Sequence, residues 1–229
     1  MKSNIFNNKD SERIRNIYDK LSDNNEFEIM FNNYSPKNKL SMSSFNNALC
    51  YVIKHSNNNK FKLVKEISLD ITYGYNRENF DSYRITINGL KQINSSMNML
   101  HNRQNHIIFS ILTSQYLNGK EDISIINKHK DIKNTFDIDE FDIRVRLSTE
   151  DVVSKSTLKG LIPIDEKERI NIIFRYKQRI SALIIDNDDC RLQLDCTIVK
   201  TSNNINKVES NFPSYELEID FLKKKKKNK

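Results

Sequence analysis

Acidic residues occupy alternate positions in two short segments that lie far apart in the chain. Glu26 and Glu28 are separated by one residue in EFEIMF, and Glu216 and Glu218 by one residue in YELEIDF. On a β-strand such pairs share a face about 7 Å apart, where repulsion raises carboxylate pKa values unless a cation lies nearby. Carboxylate oxygens select hard ions, so this spacing predicts a site for Mg²⁺ or Mn²⁺.

Basic residues alternate in the same way in other segments. The candidates are Arg84 in YRITIN, Lys128 in IINKHK, and Arg175, Lys177 and Arg179 in FRYKQRIS. A solvated surface would mix both signs within a segment, whereas here whole segments carry one sign. Cations beside a carboxylate-held metal neutralise phosphoryl oxygens, which predicts a polyphosphate as the ligand.

The elements that must position these residues are β-strands, because apolar and polar residues alternate along almost the whole chain. Eight segments show the pattern, near 26–31, 61–73, 82–88, 123–130, 142–150, 172–181, 190–199 and 215–221. Alternation favours antiparallel strands, since parallel strands read as continuous apolar runs. The predicted fold class is α+β, with an antiparallel sheet or barrel. If the eight strands close, they form a closed antiparallel eight-stranded β-barrel with a charged lumen and an apolar outer face covered by helices.

Three helical patterns supply that cover. The first contains Ile14, Ile17 and Leu21 behind Ser11, the second lies at 45–53 behind the serine-rich segment 41–44, and the third is predicted to run over 93–117.

The composition of the chain excludes several classes of protein. The chain has 229 residues and a formal charge of +7, which falls to +1 without the six lysines of the terminal KKKKKNK run. We therefore predict one domain over 1–222 and a lysine-rich tail or linker over 223–229, and the basic charge does not indicate a nucleic-acid-binding fold.

Isolated glycines exclude P-loop and Rossmann motifs, and neither HExxH nor GxSxG occurs. An odd number of cysteines and the lack of an apolar run predict an intracellular, soluble protein with no membrane partner.

At this point the ordered motifs resemble the tunnel-type, metal-dependent RNA triphosphatases of mRNA capping, within the triphosphate tunnel metalloenzyme family. The likeness is to those at the N-terminus of large-DNA-virus capping enzymes. It rests on Glu26-Phe27-Glu28, on the ELEID of 216–220, on the KQRIS of 177–181 and on Asp195-Cys196-Thr197. It extends from about position 24 to position 221, nearly the whole chain.

The resemblance implies that the eight strands do close, into a triphosphate tunnel. It also implies an activity and a role for each matching residue. It implies hydrolysis of the γ-phosphate of 5′-triphosphate RNA as the first step of capping, with Mg²⁺ or Mn²⁺, side activity on NTPs, and association with a guanylyltransferase and methyltransferase module in the host cytoplasm or the virion. It implies a metal site of Glu26, Glu28 and Glu218 with Glu216 as partner, and phosphate contacts from Arg84, Lys128, Arg175, Lys177 and Arg179. Glu150 is similar to the acid that positions the attacking water, and Asp195 to one that supports a lumen cation.

Two positions depart from the wider family, and a third has no assigned role. Met30 stands where the adenylate-cyclase and thiamine-triphosphatase branch carries a basic residue, which favours the capping branch. Ser214 replaces an acid of the fungal members, and Asp220 has no assigned role.

Two alternatives stay open from the sequence. One keeps the tunnel but hydrolyses inorganic triphosphate or polyphosphate. The other is a non-catalytic β-module that binds RNA or a partner, although aromatics such as Phe27 and Tyr215 fall on the apolar face rather than forming an exposed stacking set.

Overall fold

Eight strands, each antiparallel to both neighbours, close into a barrel in the computed structural model, which describes residues 7–22, 25–31, 39–57, 61–73, 81–161 and 172–223. The order around the barrel is β1-β5-β4-β3-β2-β6-β7-β8. The strands are β1 (Asn25–Phe31), β2 (Lys62–Tyr73), β3 (Asp81–Asn88), β4 (Ile123–Ile138), β5 (Ile143–Val152), β6 (Ile172–Asp186), β7 (Cys190–Ser202) and β8 (Ser214–Lys223). The predicted fold class is confirmed.

Alternation along the strands separates a charged lumen from an apolar exterior. On β2 and β3 the buried Leu69, Ile71, Ile85 and Ile87 face outward into one apolar cluster. Two further clusters lie on the outer faces of β1 and β5 and of β7 and β8. The polar residues at the alternate positions of the same strands therefore point into the lumen. This distribution is the inverse of that in an ordinary small barrel, whose interior is apolar.

Helices cover each of these outer clusters. They are α1 (Asn8–Tyr18), α2 (Met42–Asn57), α3 (Leu90–Leu100), α4 (Asn105–Leu117) and the short α5 (Lys155–Leu161). Ser41 Oγ accepts a hydrogen bond from the Ser44 N–H at 3.0 Å, which caps the start of α2. The ring of Phe109 on α4 stacks on Tyr73 of β2 at 4.0 Å between centroids, which fixes this helix against the barrel.

The single helix predicted over 93–117 is wrong, because the chain breaks between α3 and α4. His101 is extended and Asn102 adopts φ 58°, a left-handed conformation that asparagine tolerates better than most residues. Neither backbone conformation changes the spacing of apolar residues in the sequence, so the break could not be predicted from that spacing. α5 was not predicted, because its seven residues are too few for a helical pattern.

β4 also runs further than the predicted 123–130. A bulge between Asp131 and Thr135 shifts the pairing with β5, and its turn is held by the Asn134 N–H donating to Asp131 Oδ1 at 3.2 Å. The predicted lysine tail begins at Lys223, the last residue of β8, and its remainder lies outside the described residues.

Within the described ranges, no helix is long and apolar enough to cross a membrane.

Candidate active site

The barrel lumen contains a cavity of about 360 Å³ whose walls are almost entirely charged. The strands bring to it most of the residues that the sequence singled out. Its lining consists of Glu26, Glu28, Thr72, Arg84, Lys128, Arg146, Ile173, Arg175, Lys177, Arg179, Glu216, Glu218 and Asp220. β1 and β8 are neighbours, so their acids form one wall, while the three cations of β6 project from another. The acidic strands of the sequence therefore form one wall of the cavity, and cations from other strands contact that wall.

Three carboxylates converge on the acidic wall. One oxygen from each of Glu26, Glu28 and Asp220 lies within 4.8 Å of the others, because Glu28 is directly opposite Asp220 in the pairing of β1 with β8. Burial, together with the charges of Glu26, Glu218 and Glu28, raises the pKa of Asp220 to about 9. Asp220 Oδ1 is buried and has no hydrogen-bond partner among the described residues.

Lys128 and Arg146 border this carboxylate cluster. Lys128 Nζ lies 2.8 Å from Glu26 Oε2, 3.2 Å from Glu28 Oε1 and 3.0 Å from Glu150 Oε1. Arg146 donates to Glu28 through Nε. Burial of Lys128 opposes its charge, but the carboxylates of Glu28, Glu26 and Glu150 outweigh that cost and raise the pKa of the ammonium.

The other two acids of β8 have different surroundings. Glu216 accepts two hydrogen bonds from Arg175 Nη2, at 2.6 and 2.8 Å. Glu218 lies opposite Met30 of β1 and Asp195 of β7, and burial with the charges of Glu28 and Glu216 raises its pKa to about 7. Neither residue belongs to the three-carboxylate cluster, so their predicted metal contacts stay predictions.

Lys177 of β6 is held by a buried acid of the neighbouring strand β2. Lys177 Nζ lies 2.5 Å from Oδ2 of Asp70, which is 1% exposed and also accepts a hydrogen bond from Thr86 Oγ1 at 2.9 Å. Burial would raise the pKa of Asp70, but Lys177 and Arg84 lower it below its ordinary value. Asp70 is therefore ionised and fixes the position of Lys177.

Arg84 on β3 and Glu150 on β5 meet across β4. Arg84 Nη2 donates to Glu150 Oε1 at 2.9 Å. Burial opposes ionisation of Glu150, yet Lys128 and Arg84 lower its pKa, so the carboxylate is charged and accepts hydrogen bonds. This state is the one required of an acid that orients a water molecule.

Arg179 is positioned by β7. Its Nη1 lies 2.8 Å from Oδ2 of Asp195, which is 0% exposed, and its Nε donates to Thr197 Oγ1 at 3.2 Å. Nη2 lies 3.9 Å from Glu218 Oε2. The geometry places Asp195 behind Arg179, as a support for the guanidinium.

Sequence reasoning missed three residues of this site: Asp70, Arg146 and Asp220 as a member of the carboxylate cluster. Arg146 and Asp220 occupy the same alternating positions as the predicted Glu150 and Glu218 on their own strands, and this alternation was the available signal. No site residue was predicted on β2, so Asp70 had no such signal. Only the register of β1 against β8 distinguishes Asp220 from Glu216 and Glu218 as the partner of Glu28.

Asp220→Asn is expected to stabilise the metal-free protein. The raised pKa means that the folded state keeps a proton that the unfolded chain releases above its ordinary pKa of 3.8, so stability falls as pH rises from there towards about 9. Asparagine removes this cost. The melting temperature of the variant should exceed that of the wild type, and the gap should widen by several degrees between about pH 5 and about pH 8.

Thermal unfolding in EDTA at several pH values measures this effect. A gap that stays constant with pH, or a less stable variant, would contradict the assigned burial and charge of Asp220.

Two solved structures of the mimivirus capping enzyme match this chain along nearly its full length. The RNA triphosphatase domain of the trifunctional mimivirus mRNA capping enzyme is 23% identical, with a TM-score of 0.70, over 97% of this chain and 91% of that one. A triclinic structure of the mimivirus capping enzyme triphosphatase is 23% identical, with a TM-score of 0.71, over 97% and 92%. No protein-family model and no curated protein matches. The chain therefore has the tunnel fold of the mimivirus triphosphatase domain.

Proposed function

We propose that this chain is a metal-dependent RNA 5′-triphosphatase that acts in mRNA capping. The observation that carries the proposal is the lumen itself, in which a buried three-carboxylate cluster and the phosphate-binding cations Arg84, Lys177 and Arg179 line one cavity. The fold shared with the mimivirus domain supports it.

The carboxylate cluster fits a divalent ion. Glu26, Glu28 and Asp220 supply only oxygen donors, which suit Mg²⁺ or Mn²⁺ better than softer metals. Asp220 Oδ1 lacks a partner among the described residues, and neighbouring acids disfavour its charge, so an added cation would relieve both conditions. When bound, such an ion polarises a phosphoryl oxygen and offsets developing negative charge.

The chain's own cations bind and orient the triphosphate. Lys177 and Arg179 project from alternate positions of β6, and their buried partners Asp70 and Asp195 hold each head group in place. Fixed cations stabilise the charge that develops on the γ-phosphoryl oxygens without reorganising during the reaction. Arg84 of β3 and Lys128 of β4, on the far side of β2, extend this contact.

Glu150 orients the attacking water. Its ionised carboxylate accepts a hydrogen bond from the water, whose oxygen bonds to the γ-phosphorus while the bond from that phosphorus to the bridging oxygen of the β-phosphate breaks. The water's proton passes through Glu150 to solvent, and the bridging oxygen keeps the electron pair of the broken bond. The products are inorganic phosphate and a 5′-diphosphate RNA end. Arg84 and Lys128, both within 3.0 Å of Glu150 Oε1, keep that carboxylate in position.

The proposal extends to the cellular context. The mimivirus mRNA capping enzyme is trifunctional. We place this chain beside a capping module with guanylyltransferase and methyltransferase activities, in the host cytoplasm or the virion. NTPs would share the same phosphate contacts and serve as secondary substrates.

A comparison of three substrates tests the proposal. Phosphate release should be measured from 5′-triphosphate RNA, ATP and inorganic tripolyphosphate at equal concentrations with Mg²⁺ or Mn²⁺. We expect RNA to give the highest kcat/KM. A preference for tripolyphosphate would favour the alternative polyphosphate hydrolase, and no release from any substrate by folded protein would favour the non-catalytic module.

A further inference from the structure

A groove of about 700 Å³ lies at the rim of the barrel, where β7 ends and β8 begins. We call it the rim groove; Lys39, Phe212, Pro213 and Glu216 are among its lining residues. Glu216 lines the tunnel cavity as well, so the two spaces adjoin at this carboxylate.

Phe212 is the most prominent feature of the rim groove. Its side chain is 98% exposed, more than any other large hydrophobic side chain in the described part of the chain. Burial of a phenylalanine side chain stabilises a folded protein, and the fully exposed ring of Phe212 contributes no such stabilisation to this protein on its own. The sequence predicted aromatics on the apolar face, and Phe212 is an exception that lies between strands.

The backbone on both sides of Phe212 is anchored. Asn211 Nδ2 donates to the Thr201 carbonyl at 2.6 Å, and Ser214 Oγ donates to the Val199 carbonyl at 3.2 Å. Pro213 also restricts the residue before it to extended conformations. The ring is therefore presented from a fixed position.

The tunnel cavity reaches the same end of the barrel. Thr72 is one residue from the end of β2, and Ile173, which is 47% exposed, is the second residue of β6. If a triphosphate is held in the tunnel, the group attached to it would emerge through this opening. The groove beside the opening offers an aromatic face and the exposed ammonium of Lys39.

We propose that the rim groove binds the first nucleotides of 5′-triphosphate RNA, with Phe212 stacking on a base and Lys39 contacting the phosphate backbone. The inference rests on the proposed function. Aromatic stacking combined with cations is the mode by which proteins bind single strands with little sequence preference. Continuity with the tunnel favours RNA over a protein partner as the occupant.

The kinetic test uses the ratio of kcat/KM for a ten-nucleotide 5′-triphosphate RNA to that for inorganic tripolyphosphate. Phe212→Ala should lower this ratio about tenfold, because stacking of one base on an aromatic contributes that much affinity or more. Phe212→Tyr should restore it. Tyr51→Ala, which removes an exposed aromatic of α2 outside the groove lining, should leave the ratio at the wild-type value.

A binding measurement detects the stacking itself. A triphosphate RNA with 2-aminopurine as its first base should lose fluorescence when wild-type protein binds it in EDTA, and Phe212→Ala should reverse most of this quenching. An unchanged ratio with unchanged quenching, in a wild type that hydrolyses both substrates, would overturn the inference and leave the proposed function intact; a groove for a protein partner would give this result. Absence of phosphate release from either substrate by the wild type would instead overturn the proposed function.

Discussion

Glu28→Gln is expected to lower metal-dependent phosphate release about a thousandfold or more. Glu28 is buried and lies in the carboxylate cluster with Glu26 and Asp220, so glutamine removes the charge at the centre of the proposed metal site while keeping the shape. A bound metal contributes several kcal/mol of transition-state stabilisation, and each 1.36 kcal/mol corresponds to about a tenfold change in rate. Steady-state phosphate release at saturating Mn²⁺ measures the loss.

A metal-binding readout separates this effect from misfolding. Ligand binding to the folded state raises stability by about 2.7 kcal/mol at one hundred times the dissociation constant, so Mn²⁺ should raise the melting temperature of the wild type by several degrees. Glu28→Gln should lose this rise. Glu140→Gln, a matched change at an exposed position of the turn between β4 and β5, should keep both the rise and the activity. A Glu28→Gln protein with full turnover would remove the cluster from the mechanism.

Arg179→Ala is expected to reduce turnover about 100- to 1,000-fold. The guanidinium is the proposed partner of the γ-phosphoryl oxygens, and no neutral side chain offsets the charge that develops there. Removing it also leaves Asp195 buried and without its ion pair, which costs about 3–5 kcal/mol of folding stability. The melting temperature of the variant should therefore be measured together with its turnover.

Arg179→Lys keeps the charge opposite Asp195 and separates catalysis from stability. Lysine cannot reproduce the planar guanidinium donors, so we expect near-wild-type folding with turnover that is still at least about tenfold lower. Arg15→Ala, at an exposed arginine of α1, serves as the matched control. Wild-type kinetics in a folded Arg179→Lys or Arg179→Ala protein would place Arg179 outside the reaction.

Much of the barrel was predictable because strand alternation is a local property. The alternation that predicted Arg84, Lys177 and Arg179 on the polar face of their strands also directs these side chains into the lumen. The break in the predicted 93–117 helix was not predictable, because it depends on the backbone at Asn102 and leaves no periodic signal.

The composition of the carboxylate cluster shows why the site was only partly predictable. Glu26 and Glu28 follow from spacing along one strand, but which acid of β8 joins them depends on how two strands from opposite ends of the chain are paired. The register sets Asp220 against Glu28 and Glu218 against Met30. Asp70 escaped notice for a related reason, since no other site residue was predicted on β2 and this acid becomes informative only once Lys177 lies beside it.

The most direct test of the central claim is release of γ-labelled phosphate from 5′-triphosphate RNA, with EDTA, Mg²⁺ or Mn²⁺, by the wild type and by Glu26→Ala. Glu26 belongs to the carboxylate cluster and accepts a hydrogen bond from Lys128 at 2.8 Å, so its loss disturbs both the proposed metal site and the adjoining cation. We predict release that requires a divalent metal and is lost in Glu26→Ala. Release that persists in EDTA, or equal release by a folded Glu26→Ala protein, would contradict the account of the tunnel as a metal-dependent triphosphatase site.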